Sequence, residues 1–277
     1  LASVIGRFPI VVLSPENNAI TFGGPMERRK FIDLLLSQIS RSYLEDLLEY
    51  RRTLKQRNRL LGEARAERPH PAELLEPWTA SLVHYGARII NNRKAFVSEF
   101  REYVKRAYQN LVSSPGHIHS GNENPNLYYD SLPGLENLTG VDAIMEAMRD
   151  ELERKNIEER RRGSTLVGPH RDDIRLQIND ISVQRYASQG QHKTMLIALK
   201  IAEFFYLKER RGEVPVFLLD DVFSELDETR SQLLLHTRSS LGQTFITTTD
   251  EAVFHNAVSW NGTNRRFRVE AGSVRPS

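Results

Sequence analysis

The chain has 277 residues, room for one large domain or two ordinary ones. It contains no cysteine, which excludes disulfides, cysteine-ligated zinc, iron–sulfur clusters and thiol catalysis. Its formal net charge is +2, so any surface for nucleic acid has to be a local patch rather than a property of the whole molecule.

The first residue is Leu1, which leads straight into an apolar segment and reads as a cut end. No secretory signal opens the chain, and no apolar run is long enough to predict a membrane-spanning helix, so a cytoplasmic location and no membrane partner are expected. Residues 5–13 predict a strand, with Ile5, Phe8, Ile10, Val11, Val12 and Leu13 between Gly6 and the turn Ser14-Pro15-Glu16-Asn17-Asn18. Gly23-Gly24-Pro25 is a second breaker. A long helical stretch follows, in which Phe31, Leu34, Leu35, Ile39, Tyr43, Leu44, Leu47, Leu48, Leu54 and Leu61 recur at helical spacing until Pro69 and Pro71. A second amphipathic run covers about Pro77–Val112, and a third, densely charged, about Val141–Arg161. Between them Ser113–Pro133 is rich in turn residues, with a short strand possible at Leu127-Tyr128-Tyr129.

The texture changes after Ser164. Thr165-Leu166-Val167-Gly168-Pro169 predicts a strand and a turn, and Ile174–Ile178 and Ile181–Val183 flank Asn179-Asp180 as a hairpin. Gln191–Arg210 predicts a helix, Val214–Leu219 a buried strand, Asp227–Leu241 a helix and Thr244–Thr247 another strand. Alternating helices and strands argue for an α/β fold with a parallel component. The expected organisation is a head formed by residues 1–26 and 164–277, interrupted by a helical arm at 27–163.

Three motifs near the carboxy-terminal end carry chemistry. Ala187-Ser188-Gln189-Gly190-Gln191 precedes a helix, where small residues let backbone N–H groups face an anion at the positive end of the helix dipole. Alone, the same turn is also an ordinary helix cap. Val216-Phe217-Leu218-Leu219-Asp220-Asp221 is an apolar strand delivering two carboxylates to its carboxyl end, where open α/β sheets place ligands. Asp220 suits Mg²⁺, and Asp221 is placed to orient or deprotonate a water. Ser224-Glu225-Leu226-Asp227 reads alone as a capping box, and Phe245–Asp250 is a further strand ending in hydroxyls and an acid.

In this order the motifs resemble the signature turn, Walker B motif, D-loop and switch of ABC-type ATPase heads. The finer wording resembles the RecF family, in Val167-Gly168-Pro169-His170-Arg171-Asp172-Asp173, in Leu218–Asp227 and in Thr247-Thr248-Thr249-Asp250. The front agrees, in Leu13-Ser14-Pro15-Glu16 and Gly23-Gly24-Pro25 followed by Arg28-Arg29-Lys30-Phe31-Ile32-Asp33. The resemblance implies an ABC/SMC-type head that binds ATP and Mg²⁺ and dimerises with ATP sandwiched between subunits. Asp220, Asp221 and Thr249 would be catalytic, with Asp220 the metal ligand. Ser188, Gln189, Gly190, Gln191 and Asp227 would contact nucleotide. It further implies binding to duplex and gapped DNA and work with RecO- and RecR-like partners to load a recombinase, as part of the response to DNA damage.

Two departures qualify that expectation. No Gly-x-x-x-x-Gly-Lys-Ser/Thr loop occurs in the 277 residues, so the chain by itself is expected to bind ATP weakly and not to hydrolyse it. Thr249 stands where many heads of this class carry a histidine, and a threonine cannot shuttle a proton near neutral pH, which implies slow hydrolysis even in a complete protein. For DNA, Arg51, Arg52, Lys55, Arg57, Arg93 and Lys94 are the candidate contacts, within basic helical stretches that could neutralise phosphates. Interleaved acids leave a plain solvated face as the other reading. Another SMC-like head, or a DNA-binding fragment without catalysis, remain the alternatives.

Overall fold

The computed structural model describes residues 5–66, 72–113, 123–226, 230–231, 234–235, 241–249, 254 and 264–276. The elements in chain order are β1 (Ile10–Leu13), α1 (Ala19–Phe22), α2 (Pro25–Ile39), α3 (Arg41–Ala66), α4 (Ala72–Val112), β2 (Pro125–Asp130), α5 (Gly140–Arg162), β3 (Asp173–Ile178), β4 (Ile181–Ser182), α6 (Val183–Tyr186), α7 (Gln189–Arg211), β5 (Val216–Asp220), β6 (Thr244–Thr247), β7 (Phe267–Glu270) and β8 (Ser273–Pro276). The strands β1, β5 and β6 form a parallel sheet with β5 in the middle, as the α/β reading requires. Its buried face, made by Val11, Leu13, Phe217 and Leu219, lies on α7, where Phe204 meets Phe217 edge-on at 6.0 Å. The opposite face carries Ile10, Val12 and Phe245 and is exposed. The hairpin at Asn179-Asp180 forms with both residues at positive φ, the geometry of a tight two-residue turn, and β2 adds to it antiparallel.

The helices of the middle segment share one apolar core with the head. Phe96, Phe100 and Tyr103 of α4 surround the Tyr206 ring of α7 with centroids 5.3, 5.7 and 5.2 Å away. Aromatic side chains carry the largest buried areas available to such a contact, so α4 and α7 hold each other along much of their length.

Several boundaries differ from the sequence reading. The first strand is confined to β1, because Gly6 turns the backbone at φ +79 and Gln38 takes the Ile10 N–H with its side chain. The long first helix is two helices, α2 and α3, separated by extended backbone at Ser40, whose hydroxyl accepts the Tyr43 N–H. The second amphipathic run starts earlier than Pro77, which lies inside α4. Thr165–Val167 is not a strand. Side chains replace a neighbouring strand there: the Thr165 N–H donates to Asn58, the Leu166 N–H to Glu159, and Arg171 donates to the Thr165 carbonyl. Of the expected helix at Asp227–Leu241, the described residues are 230–231 and 234–235, which are helical, and 241, which is a bend.

Three of the basic residues expected at DNA are instead interior or fully engaged. Arg93 is 2% exposed and donates to Asp33 at 2.7 Å and to the Pro169 carbonyl at 2.7 Å, with Asp172 at 3.5 Å. Arg57 is buried and donates to Glu159, Thr165 and Thr79 at 2.7, 2.8 and 3.1 Å. Lys94 donates to the carbonyls of Leu135, Glu136 and Leu138, which accounts for its three protons. A cation already desolvated and saturated with acceptors has nothing left for a phosphate. Arg51, Arg52 and Lys55 are exposed on α3, with Arg51 3.5 Å from Asp33 and Arg52 3.9 Å from Glu49, pairs that solvent screens.

Removing one member of a buried ion pair strands the other charge in the interior, which costs about 3–5 kcal/mol, whereas an exposed pair contributes about 0–1 kcal/mol. Arg93→Leu is therefore expected to lower the free energy of unfolding by about 3–5 kcal/mol, and Arg52→Leu by under about 1 kcal/mol, in urea titrations. Equal losses for the two substitutions would contradict the assignment of Arg93 to the interior.

Candidate nucleotide site

The acidic pair stands at the carboxyl end of β5, with both side chains exposed. The neighbouring strand holds it. Thr247 of β6 donates its hydroxyl to Asp220 Oδ1 at 2.6 Å, and the same hydroxyl accepts the Asp221 N–H at 3.1 Å. Asp221 sits at φ +49, a left-handed conformation uncommon outside glycine but tolerated by aspartate. That bend redirects the chain immediately after the strand, and Ser224 pins it by donating to the Asp221 carbonyl at 2.8 Å. Ser224 thus ties down the turn just behind the acids, and its expected capping partner Asp227 lies outside the described residues. Thr249 is exposed two residues beyond β6. The hydroxyl that touches the acids is that of Thr247, which the sequence did not single out.

Ser188 caps α7 reciprocally with Gln191. The serine oxygen accepts the Gln191 N–H at 3.2 Å, and the Gln191 side chain accepts the Ser188 N–H at 2.8 Å. Capping uses a serine lone pair and leaves its O–H free to donate. The first-turn N–H groups of Gln189 and Gly190 have no acceptor within the helix. Ser188 and Gln189 are exposed, so the positive end of a 23-residue helix presents several donors to solvent.

These two groups are well separated within one molecule. Phe204 and Phe217 are in contact, and the chain reverses between α7 and β5. Counting from the Phe204–Phe217 contact, Ser188 lies about 24 Å along the helix and Asp220 about 10 Å along the strand in the same direction, an axial offset of about 14 Å. A cleft lined by Leu13, Ser14, Pro15, Lys193, Ile197, Val222 and Leu226 separates β1 from the first turns of α7 on that side.

The segment before β3 is strapped to the helices by polar groups. The Tyr50 hydroxyl lies 2.7 Å from His170 Nδ1, and His170 Nε2 lies 3.1 Å from the Thr165 carbonyl. A carbonyl only accepts, so Nε2 carries the proton and Tyr50 donates to Nδ1. Burial pushes the His170 pKa down to about 4, so the ring is neutral near pH 7. Next to it, burial raises Asp172 to about 6 despite the opposing pull of Arg93. Arg28 binds Asp173 with two hydrogen bonds, at 2.8 and 2.9 Å, and fixes the start of β3 to α2.

Comparison with known proteins places the chain in a family. No protein-family model matches the chain. It is 44% identical over 256 residues to the DNA replication and repair protein RecF of Chloroherpeton thalassium, covering 91% of this chain and 67% of that protein. The RecF of Lysinibacillus sphaericus is 34% identical over 278 residues, covering 100% of this chain and 72% of its own. The chain belongs to the RecF family. A solved structure of the recombination mediator protein RecF with ATPrS, in the RecFOR pathway, superposes with a TM-score of 0.86 at 31% identity, covering 99% of this chain and 69% of the other. The same protein with ATP gives 0.83 at 32% identity. The chain spans about two thirds of the length of its curated RecF relatives, 65% for that of Salinibacter ruber. Among the described residues no helix is long and apolar enough to cross a membrane, and no cluster of three or more His, Cys, Asp or Glu could hold a metal by itself.

The neutral His170 of this RecF-family chain has a measurable consequence. Below about pH 6.5 the unfolded chain takes up a proton that the folded ring refuses until about pH 4. Stability from this group is therefore intact at neutral pH and lost as pH falls through that window. The thermal midpoint of the native chain is expected to fall toward that of His170→Asn between pH 7.5 and pH 5, by at most about 2 kcal/mol in stability. A difference that stays constant with pH would contradict a neutral, buried ring.

Proposed function

We propose that this chain is the part of a RecF-type recombination mediator that supplies one half of an ATP site to a second subunit. Ser188 and the open N–H groups of α7 serve the nucleotide held by the partner, while Asp220 and Asp221 serve the nucleotide of their own subunit. What supports this reading is the placement of the two groups on different elements, the turn at the start of the 23-residue α7 and the acids at the end of β5, offset by about 14 Å along the helix axis from ideal rises counted from the Phe204–Phe217 contact. Each presents its chemistry to solvent, so a second copy can reach it.

The donor set at β5 fits Mg²⁺. That ion keeps several waters and binds through one or two carboxylates together with substrate phosphates, so the absence of a three-acid cluster among the described residues is compatible with it. Asp220 would hold it, and when bound it would neutralise charge on the phosphates. Asp221 orients the attacking water, and Thr247 holds both acids in place through its single hydroxyl. ATP then acts as the adhesive of a homodimer, because each nucleotide binds the joined state better than the separate subunits.

The RecF relationship supports a role in DNA repair at single-strand gaps, together with RecO- and RecR-like proteins, in the cytoplasm. Arg51, Arg52 and Lys55 are the exposed cations on α3 that remain as candidates for DNA phosphates.

The test uses these 277 residues joined to the phosphate-loop segment of their relatives. Ser188→Arg is expected to abolish ATP-dependent dimerisation in analytical ultracentrifugation while leaving ATP binding to the monomer within about twofold, since a bulky cation blocks the seat of the partner's phosphate. Dimerisation unchanged by the substitution would leave the turn as a helix cap and nothing more.

A further inference from the structure

We propose that Arg230, Glu123 and Tyr108 are positioning residues of the Ser188–Gln191 turn, clamping its inner side from two separate elements so that its outer side meets the partner's nucleotide in a fixed pose. This rests on the reading of that turn given above.

One jaw comes from the segment after the acidic pair. Arg230, a few residues beyond Leu226, donates from Nη2 to the Gly190 carbonyl at 3.2 Å and from Nε to the Thr194 hydroxyl at 3.1 Å. Thr194 in turn donates to the same Gly190 carbonyl at 3.0 Å. A Cβ at position 190 would stand 2.8 Å from Arg230 Nη2, so the guanidinium packs directly against the glycine and would have to shift to admit a side chain.

The other jaw comes from the helical segment. Gln191 donates its side-chain N–H to Glu123 Oε1 at 2.7 Å, and the buried Tyr108 of α4 donates its hydroxyl to Glu123 Oε2 at 2.6 Å. Gln191 is also the residue whose side chain accepts the Ser188 N–H. A continuous hydrogen-bonded chain therefore runs from Ser188 through Gln191 and Glu123 to Tyr108. Burial, with Glu123 beside it, keeps the Tyr108 phenol protonated and so a donor.

The two jaws connect the turn to different neighbourhoods. Arg230 links it to the chain that leaves Asp220 and Asp221, the catalytic half of the same subunit. Tyr108 links it to α4, the helix that spans the middle segment. A displacement of either neighbour moves the Gly190 carbonyl or the Gln191 amide, and with them the donors aimed at the partner.

The experiment uses the phosphate-loop protein described above, with ATP as the probe. Arg230→Ala and Glu123→Ala are each expected to raise the concentration needed for ATP-dependent dimerisation by about tenfold, the size of losing a charge-assisted hydrogen bond. ATP binding to the monomer should stay within about twofold, because these residues act on the partner's nucleotide and not on their own. Arg230→Lys should recover part of the loss, since a lysine reaches one acceptor but not two. A merely structural role would instead lower the nucleotide-free thermal midpoint and weaken dimerisation in proportion to it, and that result would overturn the proposal. If an alanine variant fails to fold, Arg230→Lys and Tyr108→Phe preserve bulk and decide the matter by the same comparison. Native-like dimerisation in all these variants, with Ser188→Arg still defective, would sink the clamp while leaving the composite site standing. Native-like dimerisation in Ser188→Arg would remove both.

Discussion

A helix of 23 residues that turns back into a strand of five cannot bring its own beginning to the strand's end. The difference in length, about 24 Å of helix against about 10 Å of strand from their contact point, offsets the serine turn from the acidic pair. Everything proposed about function follows from it. On the proposed reading, anion donors at one place and acids at another, both open to solvent, are two half-sites that a second copy completes. α7 is central to this arrangement because one end of it is chemistry, its middle is core and its other end delivers β5.

Buried charge fastens the helices to one another and to the segment before β3. Arg28, Arg57 and Arg93 each join elements far apart in sequence: α2 to β3, α3 to α5, and α4 to both α2 and the segment before β3. Buried ion pairs contribute little net stability compared with apolar packing, but breaking one is costly, so they select a single arrangement. The irregular stretch from Thr165 to Asp172 shows the effect. It has no strand partner, yet its backbone groups are taken by Asn58, Glu159, Arg93 and Arg171. The helices are thereby fastened to the sheet-bearing part by geometry that apolar contact alone would leave adjustable.

Much of this was legible in the sequence where local rules govern. Apolar periodicity found α4, α5 and α7, the run Val216–Leu219 found β5, and Asn179-Asp180 found its hairpin, because each depends on neighbours a few residues away. The Ser188–Gln191 turn and the acidic pair were legible as motifs for the same reason. The interior arginines were not. Arg93 follows two asparagines and precedes a lysine, which looks like a wet helical face, and its partners Asp33 and Asp172 lie 60 and 79 residues away. Arg57 sits among basic residues, and its partners Thr79, Thr165 and Glu159 lie 22, 108 and 102 residues on. Thr247 and Arg230 were missed because their roles exist only across strands or between helices. The failed strand at Thr165 had strand-like composition, and only long-range side chains decided otherwise.

The composite site is tested most directly by mixing two defective proteins, each extended by a phosphate loop, one carrying Ser188→Arg and the other Asp221→Asn. Each alone should lack ATP turnover, the first because it does not dimerise with ATP and the second because every site in its dimer lacks the acid. In a mixed dimer one site combines the intact turn of one subunit with the intact acids of the other, so turnover should return on mixing. Silence from the mixture, with formation of the mixed dimer verified, would contradict a site shared between subunits.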